Sequence, residues 1–444
     1  MPNPSNRAQR DKSVRSLVIW CLLLACSGTV ARAAENWPHW RGPNQDGVSR
    51  ERPVPMVWGE NRGITWKCPL PPWGTSSPVV WDRSVFVTSH TDSGQLLLLH
   101  IGARTGKLLW TQQVGSGTTP RDGPQRGRHQ FHRLHNLATP SPVTNGEVVV
   151  VHFGNGLLAA YDFNGGQLWK RNLQDDYGPY TVWWGHGNSP VIFEDVVISV
   201  CMQDSLADLR DEPVESYLVA HDLATGKTRW KIARKTDAVA EQCDAYTTPV
   251  LSQYQGQPRL IVMGGNQLDA YDPRTGRQIW FLPNQTGGRT VTSPTVSDEI
   301  AFATRGKKGP LIAVRLGGEG ELERREILWS NNQGTPDSCT PVTYRTLLFT
   351  LSDNGIIRCF DADSGNMHWK ERLPGEYKAS LVYCERRILA LNTEGTCTVV
   401  SASIHYSKLV QNQLADQTIA SPAISNGHIY IRGRNRLYCI GSSF

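Results

Sequence analysis

The stretch LDAYDPRTGRQIW, Leu268–Trp280, decides the fold because the chain says it again and again. LAAYDFNGGQLW runs from Leu158 to Trp169, LVAHDLATGKTRW from Leu218 to Trp230, and IRCFDADSGNMHW from Ile357 to Trp369. Each copy opens with a short apolar run of strand character. An Asp follows, then Thr or Ser and a Gly in most copies, then a second run carrying Trp. The Asp carboxylate can accept backbone N–H groups two residues on, and the Gly supplies a positive φ, so the phrase reads as a tight turn between two strands.

Working outward, a small hydroxyl residue, usually followed by Pro, opens each unit. The starts are Ser77, Ser141, Ser189, Thr248, Ser293, Thr340, Ser380 and Ser421, with Leu381 replacing Pro once. Two short apolar strands follow each start, so every complete unit holds four. Units of four strands at spacings of roughly 40–60 residues are the signature of a β-propeller. One such unit cannot bury both faces alone, and the widening outer gap between blades needs bulk. Trp110, Trp169, Trp230, Trp280, Trp329 and Trp369 supply it, while the seventh unit has HYSKLV instead. The eighth unit has three strands, and ITWKCPL, Ile64–Leu70, is an orphan fourth. The expected fold is therefore all-β: an eight-bladed propeller of four-stranded antiparallel blades over residues 64–444, its last blade closed by an N-terminal strand that removes two open edges. Residues 34–63 form a lead-in, whose deletion (34–60) is expected to cost far less than loss of the closing strand. Cys68 and Cys439 fall on neighbouring strands of that blade and are candidates for a cross-strand disulfide.

The hydroxyl-Pro-Val start followed by A-Y-D-x-x-T-G-x-x-x-W resembles the pyrroloquinoline quinone (PQQ)-like propeller repeat, whose family includes quinoprotein dehydrogenases and the outer-membrane assembly lipoprotein BamB. The lead-in NWPHWRGPNQDGVS, Asn36–Ser49, resembles the opening of a group of secreted bacterial PQQ-like propellers. The likeness covers about residues 36–444 and speaks to fold more than to activity.

Residues 1–33 read as a signal peptide: Arg7, Arg10, Lys12 and Arg15, an apolar core over 17–26, and small residues at Ala31 and Ala33. A lipid anchor on Cys26 is the competing reading, which Leu24 fits poorly. A periplasmic or secreted protein is expected, with no transmembrane segment after cleavage. Removing five basic residues and one acidic one lowers the net charge from +6 to +2, so nothing argues for nucleic acid. Eight Cys remain, scattered and without a C-x-x-C pair, which argues against a zinc site.

The loops joining one outer strand to the next inner strand gather on one face and are rich in polar and aromatic residues. They nominate Trp73, Arg128, His132, His135, Trp184, His186, Asn188, Asp244, Tyr246, Arg289, Asp337, Tyr377 and Lys378 as ligand-binding residues around the channel mouth. His129, His132 and His135 lack a metal-site spacing, so no metal is assigned; the repeat Asp residues are turn formers, and no catalytic residue is assigned. Three classes compete: a non-catalytic envelope propeller binding a protein or a small polar ligand, a PQQ- and calcium-dependent quinoprotein dehydrogenase, and an unrelated hydrolase or lyase on the same funnel. The first is expected, as a monomer without a cofactor. The family resemblance implies that a PQQ enzyme would be longer and would commonly carry an adjacent Cys pair, and no two Cys here are adjacent.

Overall fold

The computed structural model describes residues 35–117, 134–203, 214–305, 309–333 and 335–442. Residues 1–33, expected to be a signal peptide and including Cys26, lie outside the described residues, as do Arg128 and His132. Eight sheets are present, each built on four antiparallel strands. Blade 4 shows the plan: Val250–Tyr254, Gln257–Gly264, Gln267–Tyr271 and Gln278–Leu282 pair in chain order from the channel outward. Blade 8 runs through Ala423–Ser425, His428–Arg432 and Arg436–Ile440, and Ile64–Pro69 supplies its outer strand, as the orphan strand requires.

The repeated phrase is a latch between blades. Trp280 Nε1 donates to Leu316 O (2.8 Å), Trp169 to Leu223 O (2.8 Å) and Trp230 to Pro273 O (3.2 Å), each carbonyl belonging to the next blade. The indole also lies on the Gly of that blade's turn: a Cβ on Gly226 would come within 2.6 Å of the Trp169 ring, and the Gly226 φ is +69°. Gly therefore serves both the backbone and the ring above it. The Asp closes the turn, Asp222 Oδ1 accepting from the Thr225 N–H (2.9 Å) and hydroxyl (2.7 Å). Trp66, on the closing strand, makes the same latch onto Ala103 O (2.8 Å) and Gly106 of blade 1.

The hydroxyl that opens each unit makes a second, inner ring. Ser77 N–H donates to Ser141 Oγ, Ser141 to Ser189, Ser189 to Thr248, Thr248 to Ser293, Ser293 to Thr340, Thr340 to Ser380, Ser380 to Ser421, and Ser421 back to Ser77, all at 2.8–3.2 Å. The following Pro biases the hydroxyl residue to extended backbone, which suits its N–H to a partner in the neighbouring blade.

The contacts of the lead-in argue against a small cost for its deletion. The segment runs along the end of the channel where the first two strands of each blade turn, and it touches every blade. Trp37 bridges Val80 of blade 1, and Pro38 O accepts from Thr144 N of blade 2 (3.0 Å). His39 meets the backbone of Ile192 in blade 3, and Gln45 Oε1 accepts from Leu251 N in blade 4 (2.8 Å). Arg41, fully buried, donates to Thr295 Oγ1 of blade 5, to Thr340 O and Pro341 O of blade 6 and to Leu381 O of blade 7. Val48–Ser49 adds a parallel strand to Val382–Cys384 of blade 7, and Glu51 accepts from Asn426 N and Gly427 N of blade 8. Where blade 7 lacks its Trp and offers Val410, the lead-in brings Trp58 into the same apolar cluster, its backbone N–H donating to Asn412 Oδ1 (3.0 Å).

The Cys68–Cys439 pairing is also corrected: both thiols are free. A register shift between Ile64 and Trp66 sets Cys439 opposite Trp66 and Cys68 opposite Leu437, so the two Cys are diagonal neighbours. Diagonal Cα separations of about 7–8 Å exceed what a disulfide spans.

Candidate functional site

The lead-in closes one end of the channel and leaves a cavity of about 520 Å³ above it, lined in part by Trp40. Seven of the eight ring residues, all but Thr340, line the wall. Each ring oxygen accepts a backbone N–H, and none of the ring hydroxyls donates to another group among the described residues, so the wall offers O–H groups to the cavity.

The mouth is built by outer-to-inner loops and by the turns between second and third strands. Arg289 Nη2 pairs with Asp337 (3.2 Å) and Nη1 with Glu241 (3.4 Å). Lys378 Nζ pairs with Asp353 (2.7 Å) and Glu376 (3.2 Å); burial alone would lower this ammonium, but the two carboxylates outweigh it and hold it above its usual range. Asp353 also accepts from the N–H groups of Asp337 (3.2 Å) and Ser338 (2.9 Å), tying two loops together. Tyr246 donates to Asp244 Oδ2 (3.2 Å) and accepts from Trp184 N (3.3 Å); burial first, then the Asp244 charge, push its phenol well above the usual range.

The structure brings six of the sequence-nominated residues to the cavity: His135, Trp184, Tyr246, Arg289, Asp337 and Lys378. Trp73 stands in a side cleft, stacked on His90 at 5.9 Å. Four others are buried behind the mouth. His186 packs on Tyr180 (4.9 Å) and His152 (4.4 Å), and burial pushes its pKa down to about 4. Asn188 donates to Ala245 O and Thr247 O, Tyr377 to Pro374 O, and Asp244 holds Trp183 N (2.9 Å). These four shape the loops rather than face the channel. Sequence reading missed Trp40 and Asp353: Asp353-Asn354-Gly355 reads as a hairpin turn, and only its position on the same face as the loops hints at more.

The donor set does not suit a divalent cation. Asp337 and Asp353 are each engaged by a cation, and among the described residues no three His, Cys, Asp or Glu side chains are grouped to hold a metal ion. No helix among the described residues is long and apolar enough to cross a membrane.

A family model described as outer membrane protein assembly factor BamB matches residues 56–181 and 214–318, more than half of the chain. No curated protein sequence matches. Among solved structures, BamB from Moraxella catarrhalis is similar at 13% identity over 85% of this chain and 99% of that one, with a TM-score of 0.56. Quinohemoprotein alcohol dehydrogenase from Comamonas testosteroni is similar at 12% identity over 91% and 80%, with a TM-score of 0.66. A europium-containing methanol dehydrogenase follows at 12% identity, 89% of each chain and 0.59. At such identities the structures speak to the fold alone, which BamB and the dehydrogenases share. The family model and the repeat architecture agree: the chain belongs to the BamB-type family of PQQ-like β-propellers.

Proposed function

We propose that this protein is a non-catalytic propeller of the cell envelope or its exterior that binds a small polyhydroxyl ligand, of saccharide type, in its channel. The carrying observation is the cavity itself: about 520 Å³, closed at one end, walled by hydroxyls and framed by Trp40, Trp184 and Tyr246. Its depth and size favour a small molecule over a protein segment, since pockets for small ligands run to about 300–1,000 Å³. Ring faces suit the C–H face of a sugar, and hydroxyls and the Arg289–Asp337 pair suit its O–H groups. The signal-like N-terminus supports export, and the BamB-type family supports an envelope setting; a protein partner at the outer loops is the neighbouring reading.

The quinoprotein reading fares less well. Its cofactor needs a cation, and the acids at the mouth are already matched by Arg289 and Lys378. The test is calorimetry on residues 34–444 with a panel of mono- and disaccharides, beside PQQ with calcium and a dye-linked assay of alcohol oxidation. Saccharide binding abolished by Tyr246→Ala or Arg289→Ala is the expected result. Stoichiometric PQQ binding with turnover overturns the proposal in favour of the dehydrogenase.

A further inference from the structure

Four arginines are buried among the described residues: Arg41, Arg234, Arg358 and Arg432. Arg358, the least buried of them, donates to Ile356 O (3.3 Å). Arg234 lies against Asp269, its Nε donating to Oδ2 at 3.1 Å. Arg41 is spent on backbone carbonyls and feels the Asp46 carboxylate. Arg432, 1% exposed, has no carboxylate partner among the described residues. It crosses from blade 8 to blade 1 and donates only to neutral oxygens: Ser76 Oγ (2.7 Å), Ser89 Oγ (2.6 Å) and Thr88 O. Its Nε has no hydrogen-bond partner among the described residues. Burial without a counter-charge pushes its pKa down to about 9, a drop seldom met in a guanidinium.

The surroundings are built around this charge. Arg432 lines a cleft of about 310 Å³ that shares Thr75, His135 and Ile419 with the central cavity. Arg434 lines it too, its guanidinium 5.4 Å above the Trp73 ring. Gly74 brings backbone onto the guanidinium: with φ at +151°, a Cβ there would stand 2.0 Å from Arg432 Nη2. The acids attached to this region are engaged elsewhere, Asp92 by Trp73 Nε1 and Asp416 by Asn435 and Tyr438. In the other blades the position of Arg432 is held by uncharged residues such as Thr88, Val200 and Leu351, so the repeat does not require an arginine. A buried charge is ordinarily paired, and among the described residues no carboxylate pairs with this one.

We infer that the cleft between blades 8 and 1 is an oxyanion subsite of the channel, in which Arg432 and Arg434 receive a carboxylate, sulfate or phosphate carried by the ligand. This rests on the saccharide reading for the body of the ligand and narrows it to acidic saccharides. The planar forks of two arginines fit an oxyanion, and Arg434 stands at the exposed lip while Arg432 lies at the base.

The experiment titrates residues 34–444 with inorganic sulfate at constant ionic strength, and with neutral hexoses beside their uronic acids. Readouts are calorimetry and Trp fluorescence, with Trp73→Phe identifying the cleft signal. The expected result is sulfate binding that Arg434→Gln weakens at least tenfold, and uronates bound at least tenfold tighter than their parents with that preference lost in Arg434→Gln and Arg432→Gln. Arg434 is exposed, so its variant carries the test should Arg432→Gln fail to fold. Sulfate binding without any saccharide binding keeps the anion subsite and removes the saccharide reading. Hexoses and uronates bound equally, with no sulfate response, remove the subsite and leave the saccharide reading intact. Sulfate binding unchanged in both arginine variants also overturns the inference.

Discussion

At the closed end of the channel, polar groups are used up inside the protein. Arg41 gives its donors to the carbonyls of Thr340, Pro341 and Leu381, and Glu51 takes the free N–H groups of Asn426 and Gly427. At the open end, Arg289 and Lys378 are paired with acids, yet they and the ring hydroxyls still line an accessible cavity. The two ends are made by the same eight blades, and both carry arginine, acid and aromatic residues. What differs is the chain that covers them. An irregular segment with its own backbone can satisfy eight inner strands at once, whereas a mouth built from eight separate loops leaves surface over. Buried polar pairing is concentrated at one end, and the proposed recognition at the other.

The largest expected effect breaks the closed end. Deleting residues 35–60 removes the contacts to all eight blades and takes away Trp58, so the ring is expected to lose its cooperative melt, comparably to deletion through Leu70. Arg41→Ala alone should destabilise by about 3–5 kcal/mol, because it strands buried carbonyls. A deletion protein that melts within a few degrees of the parent would show the plug to be ornamental.

Next come the latches. Trp280→Ala should cost about 3–5 kcal/mol through loss of a buried aromatic, and Trp58→Ala a similar amount if the lead-in Trp substitutes for the one blade 7 lacks. Denaturant midpoints measure both; neither variant should alter saccharide affinity. A silent Trp58→Ala would mean that Val410 closes its seam unaided.

Acid should act on the buried imidazoles. Burial holds His186 and His221 down to a pKa of about 4, while unfolded His titrates near 6.5. The unfolded chain therefore takes up protons first. Stability is complete above pH 6.5 and falls on the way to pH 4, at up to about 1.4 kcal/mol per pH unit for each group. Melts at pH 7, 5.5 and 4.5 report this, and Phe at position 186 should flatten part of the slope. A profile flat across that window contradicts the burial of these imidazoles.

The smallest effect on stability belongs to the open end. Arg289→Gln should change it by about 0–1 kcal/mol, as for other partly exposed ion pairs, while weakening ligand binding about tenfold. Loss of stability as large as that of Arg41→Ala would erase the contrast between the ends.

The blades were legible in the sequence because their logic is local. Asp222, Thr225 and Gly226 make a turn within five residues, and the Trp that follows has one gap to fill. The closing strand was legible by counting strands. The plug was not, because its contacts are neither local nor periodic: Arg41 reaches Thr340 across 299 positions. Cys68 and Cys439 were placed on the right strands, but the irregularity between Ile64 and Trp66 sets a register that composition does not reveal. At the mouth, the loops were found, yet His186, Asn188, Asp244 and Tyr377 turn inward while Arg289 and Lys378 face the cavity. That choice depends on which carbonyls and rings lie behind each loop. Asp353 was hidden because a turn-forming Asp and a bridging Asp have the same letter.

The inner circuit of hydroxyls also counts. Each unit gives one hydrogen bond forward and takes one from behind, at nearly one length. Such a loop joins only when the angles between successive units add to a full revolution. A ring with one unit fewer or more would have to reset every bond, not just the one at the join. The serines and threonines thus act as a gauge of blade number, and a gene copy that gained or lost a single unit would be checked at this circuit before any loop on the surface mattered.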